Sequence, residues 1–133
     1  MTDFRKVTET FSVSPQISLA DVAGAAADGF TLIINNRPDG EAPGQPTSAE
    51  MEAAARAAGL AYLYAPVVGR PGPAQVEAVR EAVAGAPGKV LAYCRSGTRS
   101  ICTWAIGQQG AVPHDDLLRL GAAAGYDLSP VLG

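Results

Sequence analysis

A chain of 133 residues with 47% hydrophobic and 17% charged side chains has the length and composition of one globular domain, 1–133, which excludes a disordered or low-complexity protein. Its net charge of −3 argues against nucleic acid as the main partner, because phosphate backbones require a basic face. No apolar run approaches the length of a membrane span and the opening residues carry no apolar signal core, so a cytoplasmic protein with no membrane partner is expected.

In chain order, Ser12-Val13-Ser14-Pro15-Gln16-Ile17 predicts a short strand over 12–17 running into a turn. Ser18 stands as the N-cap of a helix over 19–28, and Gly29 occupies the place of a C-terminal glycine. The run Phe30-Thr31-Leu32-Ile33-Ile34-Asn35 predicts a strand buried on both faces. The stretch 36–46, with three prolines and two glycines, is a loop. Thr47 or Ser48 caps a helix over 49–58 that Gly59 stops, and 60–65 is the next strand, ended by Pro66. After a turn at 69–72, a helix over 73–84 carries Val76, Val79 and Val83 on one face. Residues 85–88 break it, and Lys89-Val90-Leu91-Ala92-Tyr93 forms another strand. A helix beginning around 98–100 carries Ile101, Trp104 and Ala105, and Pro113 starts a last helical stretch through Leu117, Leu118 and Leu120.

Strands alternating with helices predict βαβ units, hence a three-layer α/β/α domain with a mostly parallel central sheet. Ligands of such sheets bind beyond the carboxyl ends of the strands, and Cys94 follows the strand 89–93 directly.

The run Cys94-Arg95-Ser96-Gly97-Thr98-Arg99-Ser100 joins that strand to the next helix. Backbone N–H groups converge in such a loop, and the helix dipole adds positive character, so the loop forms an anion cradle. A cysteine at its head has its thiolate stabilised and serves as the nucleophile. Ser96, Gly97 and Thr98 supply the cradle, and Gly97 gives it conformational freedom. Arg99 curls over the bound anion, Arg95 points outward to meet an anionic substrate, and the Ser100 hydroxyl assists the thiolate. Cys102 falls inside the following helix as packing. With a single histidine, His114, a multi-histidine metal site is excluded, and no metal or organic cofactor is implied.

The six residues from Cys94 to Arg99 resemble the active-site loop of rhodanese-type sulfurtransferases, in which four residues separate cysteine from arginine. Protein tyrosine and dual-specificity phosphatases place five between them; here that position is Ser100. Ser12-Val13-Ser14-Pro15-Gln16 and Ile33-Ile34-Asn35-Asn36-Arg37-Pro38-Asp39-Gly40-Glu41 resemble the dual-specificity-phosphatase-like module of β-lactamase-hydrolase-like proteins. That second resemblance covers nearly the whole chain and implies a phosphatase-like fold, with Arg37 and Asp39 lining the mouth of the site. It also implies that a persulfide dioxygenase, which some relatives carry fused, is a separate partner here.

The stretch 66–72 holds no carboxylate where phosphatases carry their general acid, leaving Asp39 or Glu41 to replace it. Sulfur transfer needs no strong acid, since thiols and sulfite leave readily. The expected activity is therefore a sulfurtransferase carrying sulfane sulfur from a persulfide or thiosulfate through a Cys94 persulfide. A phosphatase acting through a Cys94 phosphocysteine is the alternative, and a non-catalytic anion-binding module the third reading. Each takes a small anionic ligand.

Overall fold

The computed structural model describes residues 3–133. Five strands, β1 (Arg5–Lys6), β2 (Phe11–Ser14), β3 (Phe30–Asn35), β4 (Ala61–Tyr64) and β5 (Lys89–Tyr93), form one sheet in the order β1-β2-β5-β3-β4. All pairings are parallel except the antiparallel β1–β2 edge. Six helices accompany them: α1 (Leu19–Ala27), α2 (Ser48–Ala57), α3 (Pro73–Gly85), α4 (Thr98–Gln108), α5 (His114–Ala123) and α6 (Ser129–Leu132).

The local signals act as expected at the helix starts. Ser18 and Asp21 exchange side-chain and backbone hydrogen bonds in a capping box, and Thr47 repeats the device with Glu50. Thr47, not Ser48, is the cap of α2. Pro73 opens α3, where its missing N–H costs nothing.

Connection order then decides the layers. The chain moves from β2 through α1 to β3 and through α2 to β4, and returns through α3 to the central position of β5. Right-handed crossovers put α1 and α2 on one face and α3 on the other. Side chains alternate accordingly. Val90 and Ala92 pack with Val79, Ile101, Trp104 and Leu117, while Leu91 and Tyr93 pack with Val22, Ala25, Met51 and Ala55. Phe11 stacks on Trp104 with ring centroids 5.1 Å apart. A register shift between Phe30 and Leu32 places Phe30 with the α1–α2 cluster, outside the simple alternation.

Three elements depart from the sequence reading. The strand expected over 12–17 begins at Phe11 and ends at Ser14, because Pro15 removes the next ladder donor. The antiparallel β1 and the four-residue α6 were not expected. The result is a three-layer α/β/α fold in which the carboxyl ends of β2, β5, β3 and β4 open on one edge. Among the described residues, no helix is long and apolar enough to cross a membrane.

Candidate active site

Cys94 follows the central strand and is fully buried. The chain turns sharply after it and enters α4 at Thr98, with Gly97 as N-cap at φ +90°. That turn brings the Gly97 N–H to 3.1 Å from the Cys94 sulfur. A Cβ at Gly97 would overlap the Tyr126 hydroxyl and stand 3.4 Å from the Ser14 carbonyl carbon, so both conformation and space require glycine here. The loop is tied from outside at two points. Gln16 N–H donates to the Arg95 carbonyl at 3.2 Å, and the Tyr126 hydroxyl donates to the Ser96 carbonyl at 2.8 Å.

Thr98, Arg99 and Ser100 form the first turn of α4, whose N–H groups lack intrahelical partners and whose dipole favours an anion. Arg99 lies in that first turn, at the cleft beside the Cys94 loop. Its guanidinium donates to both Glu41 oxygens at 2.8 Å and to the Val67 carbonyl at 2.9 Å. Arg37, nearly buried, donates through Nε to the same Glu41 carboxylate at 3.0 Å and through Nη1 to Gln16 at 3.0 Å. Held by Arg99 first and Arg37 second, the Glu41 carboxyl is lowered to a pKa of about 2. Arg37, Arg95, Arg99 and Glu41, with Ala42 and Pro43, line a cleft of about 460 Å³.

The remaining candidates divide. Arg95 is exposed at the cleft rim, where it has no carboxylate partner among the described residues. Ser96 and Thr98 bond each other's hydroxyls at 3.0 Å. Ser100 is fully buried and its hydroxyl has no hydrogen-bond partner among the described residues. Asp39 turns away from the cleft: its carboxylate accepts the Ser48 N–H at 2.7 Å, at the start of α2, and its own N–H donates to the Tyr64 hydroxyl at 3.0 Å. Cys102 is buried in α4 and burial pushes its thiol up, as expected of a packing residue. His114 is the exposed first residue of α5. Among the described residues, no group of three or more His, Cys, Asp or Glu side chains could hold a metal.

Glu41 has a consequence for acid stability. Its folded pKa lies below its unfolded value, so the stabilisation is fully present above the ordinary carboxylate range and is lost as pH falls from about 4.5 toward 2. Wild type should therefore be more stable than Glu41→Gln in urea titrations at pH 6, with the two converging near pH 2. A difference that is constant with pH would show that the ion pairs contribute nothing.

The model of the beta-lactamase hydrolase-like protein, phosphatase-like domain family matches residues 3–111. A beta-lactamase hydrolase-like protein of Xylella fastidiosa is 39% identical over 125 residues. The match covers 92% of this chain and 29% of that relative, so the chain spans under a third of its length. The crystal structure of a candidate phosphatase from Neisseria meningitidis superposes with a TM-score of 0.85 at 34% identity, covering 99% of this chain and 95% of that one. A TpbA variant of P. aeruginosa solved in complex with phosphotyrosine shares the fold at a TM-score of 0.70 and 17% identity, covering 98% of this chain and 83% of that one.

These findings support a phosphatase-like, cysteine-based domain and not the sulfur transfer expected from loop length. Four residues still separate Cys94 from Arg99, which lies in the first turn of α4 and lines the cleft beside Glu41; the preference rests on the family and the solved neighbours. The comparisons support neither a rhodanese-like loop nor a separate persulfide dioxygenase as partner.

Proposed function

The chain belongs to the phosphatase-like domain family of beta-lactamase hydrolase-like proteins, and from that premise we propose that residues 1–133 form one catalytic domain hydrolysing phosphate monoesters through a Cys94 phosphocysteine. The observation that carries this reading is the position of the Cys94 sulfur. It lies at the carboxyl end of the central strand, takes the Gly97 N–H, and stands at the start of α4, whose first turn carries Arg99.

The thiolate attacks phosphorus in line with the departing oxygen, and the S–P bond forms as the P–O bond breaks. Backbone N–H groups from Arg95 to Arg99 hold the equatorial oxygens, and the Arg99 guanidinium fork grips two of them as charge develops. The unpartnered Ser100 hydroxyl is free to donate to the thiolate as it leaves phosphorus in the second step. Water then attacks the phosphocysteine and releases inorganic phosphate. Arg95 and Arg37 draw the dianion to the cleft. The substrate class assigned is a small aryl phosphate ester, in keeping with the phosphotyrosine held by the TpbA variant.

The test is phosphate release from p-nitrophenyl phosphate beside intact-mass analysis after exposure to thiosulfate. Phosphate release without a sulfur adduct on Cys94 is expected; a sulfur adduct without phosphate release would overturn the proposal. In the same assay Arg99→Ala should lower kcat/KM by about 10²–10³-fold, as loss of a donor to the transition-state oxyanion does. Arg95→Ala should raise KM several-fold and leave kcat nearly unchanged, because Arg95 meets the substrate at the rim. Equal small effects from both variants would remove Arg99 from the cradle.

A further inference from the structure

Phosphoryl transfer from an ester needs a proton for the departing oxygen, and few carboxylates can supply it here. The segment between β4 and α3, Ala65-Pro66-Val67-Val68-Gly69-Arg70-Pro71-Gly72, contains none. Asp39 is engaged with the first N–H of α2. Glu41 is the one carboxylate among the residues lining the cleft.

In this structure Glu41 occupies the arginines that a phosphate needs. Both of its oxygens are on the Arg99 fork and one also takes Arg37, an arrangement that a phosphate dianion reproduces bond for bond. Meanwhile Cys94 has no exposed surface, and the arginine of its own loop is the one Glu41 holds. A substrate phosphate that is to use the Arg99 fork must therefore displace Glu41 from it.

The loop is built to let it part. Its base is pinned: Arg37 N–H donates to Asn35 at 2.8 Å, Asp39 N–H donates to Tyr64 at 3.0 Å, and the Gln45 amide donates to the Pro38 carbonyl at 2.9 Å. Between these anchors, Glu41-Ala42-Pro43 is bracketed by Gly40 and Gly44, at φ +77° and +76°, with open space around both. Two glycines thus flank a segment whose side-chain tether is the pair of arginines.

We propose that Glu41 is both the internal anion that closes the resting cleft and the general acid of the reaction, changing from the first role to the second when substrate phosphate takes its place on Arg99. This rests on the phosphatase reading above. Once displaced, the carboxylate no longer holds the Arg99 fork, faces a dianion, and takes one proton from solvent. Arg37, Arg95 and Arg99 are the charged groups facing it in the cleft. When the thiolate attacks and the P–O bond breaks, the electron pair stays on the ester oxygen. That oxygen takes the Glu41 proton and leaves as the alcohol. In the second step Glu41 accepts a proton from the attacking water, the S–P bond breaks, and the thiolate returns. Glu41 touches the leaving oxygen and so counts as a catalytic residue, whereas Asp39 is a positioning residue for its loop.

Two measurements on wild type, Glu41→Gln and Glu41→Asp test the two roles separately. The first is calorimetric titration with sulfate, a tetrahedral dianion that stays fully ionised through the working pH range, in buffers of different ionisation heat. Glu41→Gln should bind sulfate about tenfold more tightly than wild type, and only wild type should take up a proton on binding. Equal or weaker binding by Glu41→Gln, or no proton uptake by wild type, overturns the exchange whether or not any ester is hydrolysed. The second is kcat across aryl phosphates of rising leaving-group basicity. Glu41→Gln should lose about 10²-fold or more on phenyl phosphate and little on p-nitrophenyl phosphate, with Glu41→Asp recovering part of the loss. A loss that is the same for every leaving group, or no loss at all, removes Glu41 as the acid. Absence of ester hydrolysis in wild type overturns the phosphatase reading and the acid role together, leaving the sulfate titration to judge the latch.

Discussion

Cys94→Ser is expected to reduce phosphate ester hydrolysis to the uncatalysed background while leaving the protein folded and able to bind an oxyanion. The substitution changes one atom at a fully buried site whose acceptor role toward the Gly97 N–H an oxygen can keep. Stability should therefore move by less than about 1 kcal/mol, within the range of a conservative replacement with its hydrogen bond retained. What is lost is the nucleophile, since a serine hydroxyl ionises far above neutral pH and no histidine stands by to deprotonate it. His114, the one histidine in the chain, begins α5 on the surface. Sulfate titration of the variant separates the two properties: retained binding with lost turnover assigns the loss to chemistry. Retained hydrolysis would mean that Cys94 is not the group that attacks.

Gly97→Ala should be the most damaging substitution that leaves every reactive group in place. A non-glycine residue at φ +90° is strained by about 1–3 kcal/mol. The added Cβ also overlaps the Tyr126 hydroxyl and comes 3.0 Å from its Cζ. For a chain of this size, a loss of about 2 kcal/mol should lower Tm by about 5–10 °C. Activity should fall further than stability, because the turn at Gly97 is what aims its N–H at the Cys94 sulfur. Adding Tyr126→Phe removes the nearest clashing atom and should return part of the stability but not the activity, since the backbone strain and the displaced loop remain. Wild-type turnover in Gly97→Ala would show that the observed cradle geometry is not required.

Much of this arrangement was legible in the sequence where the signal is local. Ser18 with Asp21 and Thr47 with Glu50 mark helix starts through contacts three residues apart, and the uninterrupted apolar runs at β3 and β5 mark strands covered on both faces. Cys94 falls at a strand end because the chain changes there from a strand to a glycine turn and a helix. Contacts between distant segments were not legible. The Arg99–Glu41 pair spans 58 positions, and nothing in a proline- and glycine-rich loop distinguishes the carboxylate that enters the cleft from the one that caps a helix. Tyr126 reaches the loop from beyond α5 for the same reason. The edge strand β1 carries only two residues and owes its form to pairing with β2, so it has no periodicity of its own to read. Loop length alone favoured sulfur transfer, whereas the family and the solved neighbour matched over most of the chain favour a phosphatase-like domain.

Phosphate passes through sulfur in this mechanism, and acid-quenched mass spectrometry of the enzyme during turnover of p-nitrophenyl phosphate would catch it there. A transient gain of one phosphoryl group is expected on the peptide containing Cys94, absent in Cys94→Ser and longer-lived in Ser100→Ala. Turnover with no phosphoryl group on Cys94 at any quench time, or a phosphoryl group on another residue, would contradict it.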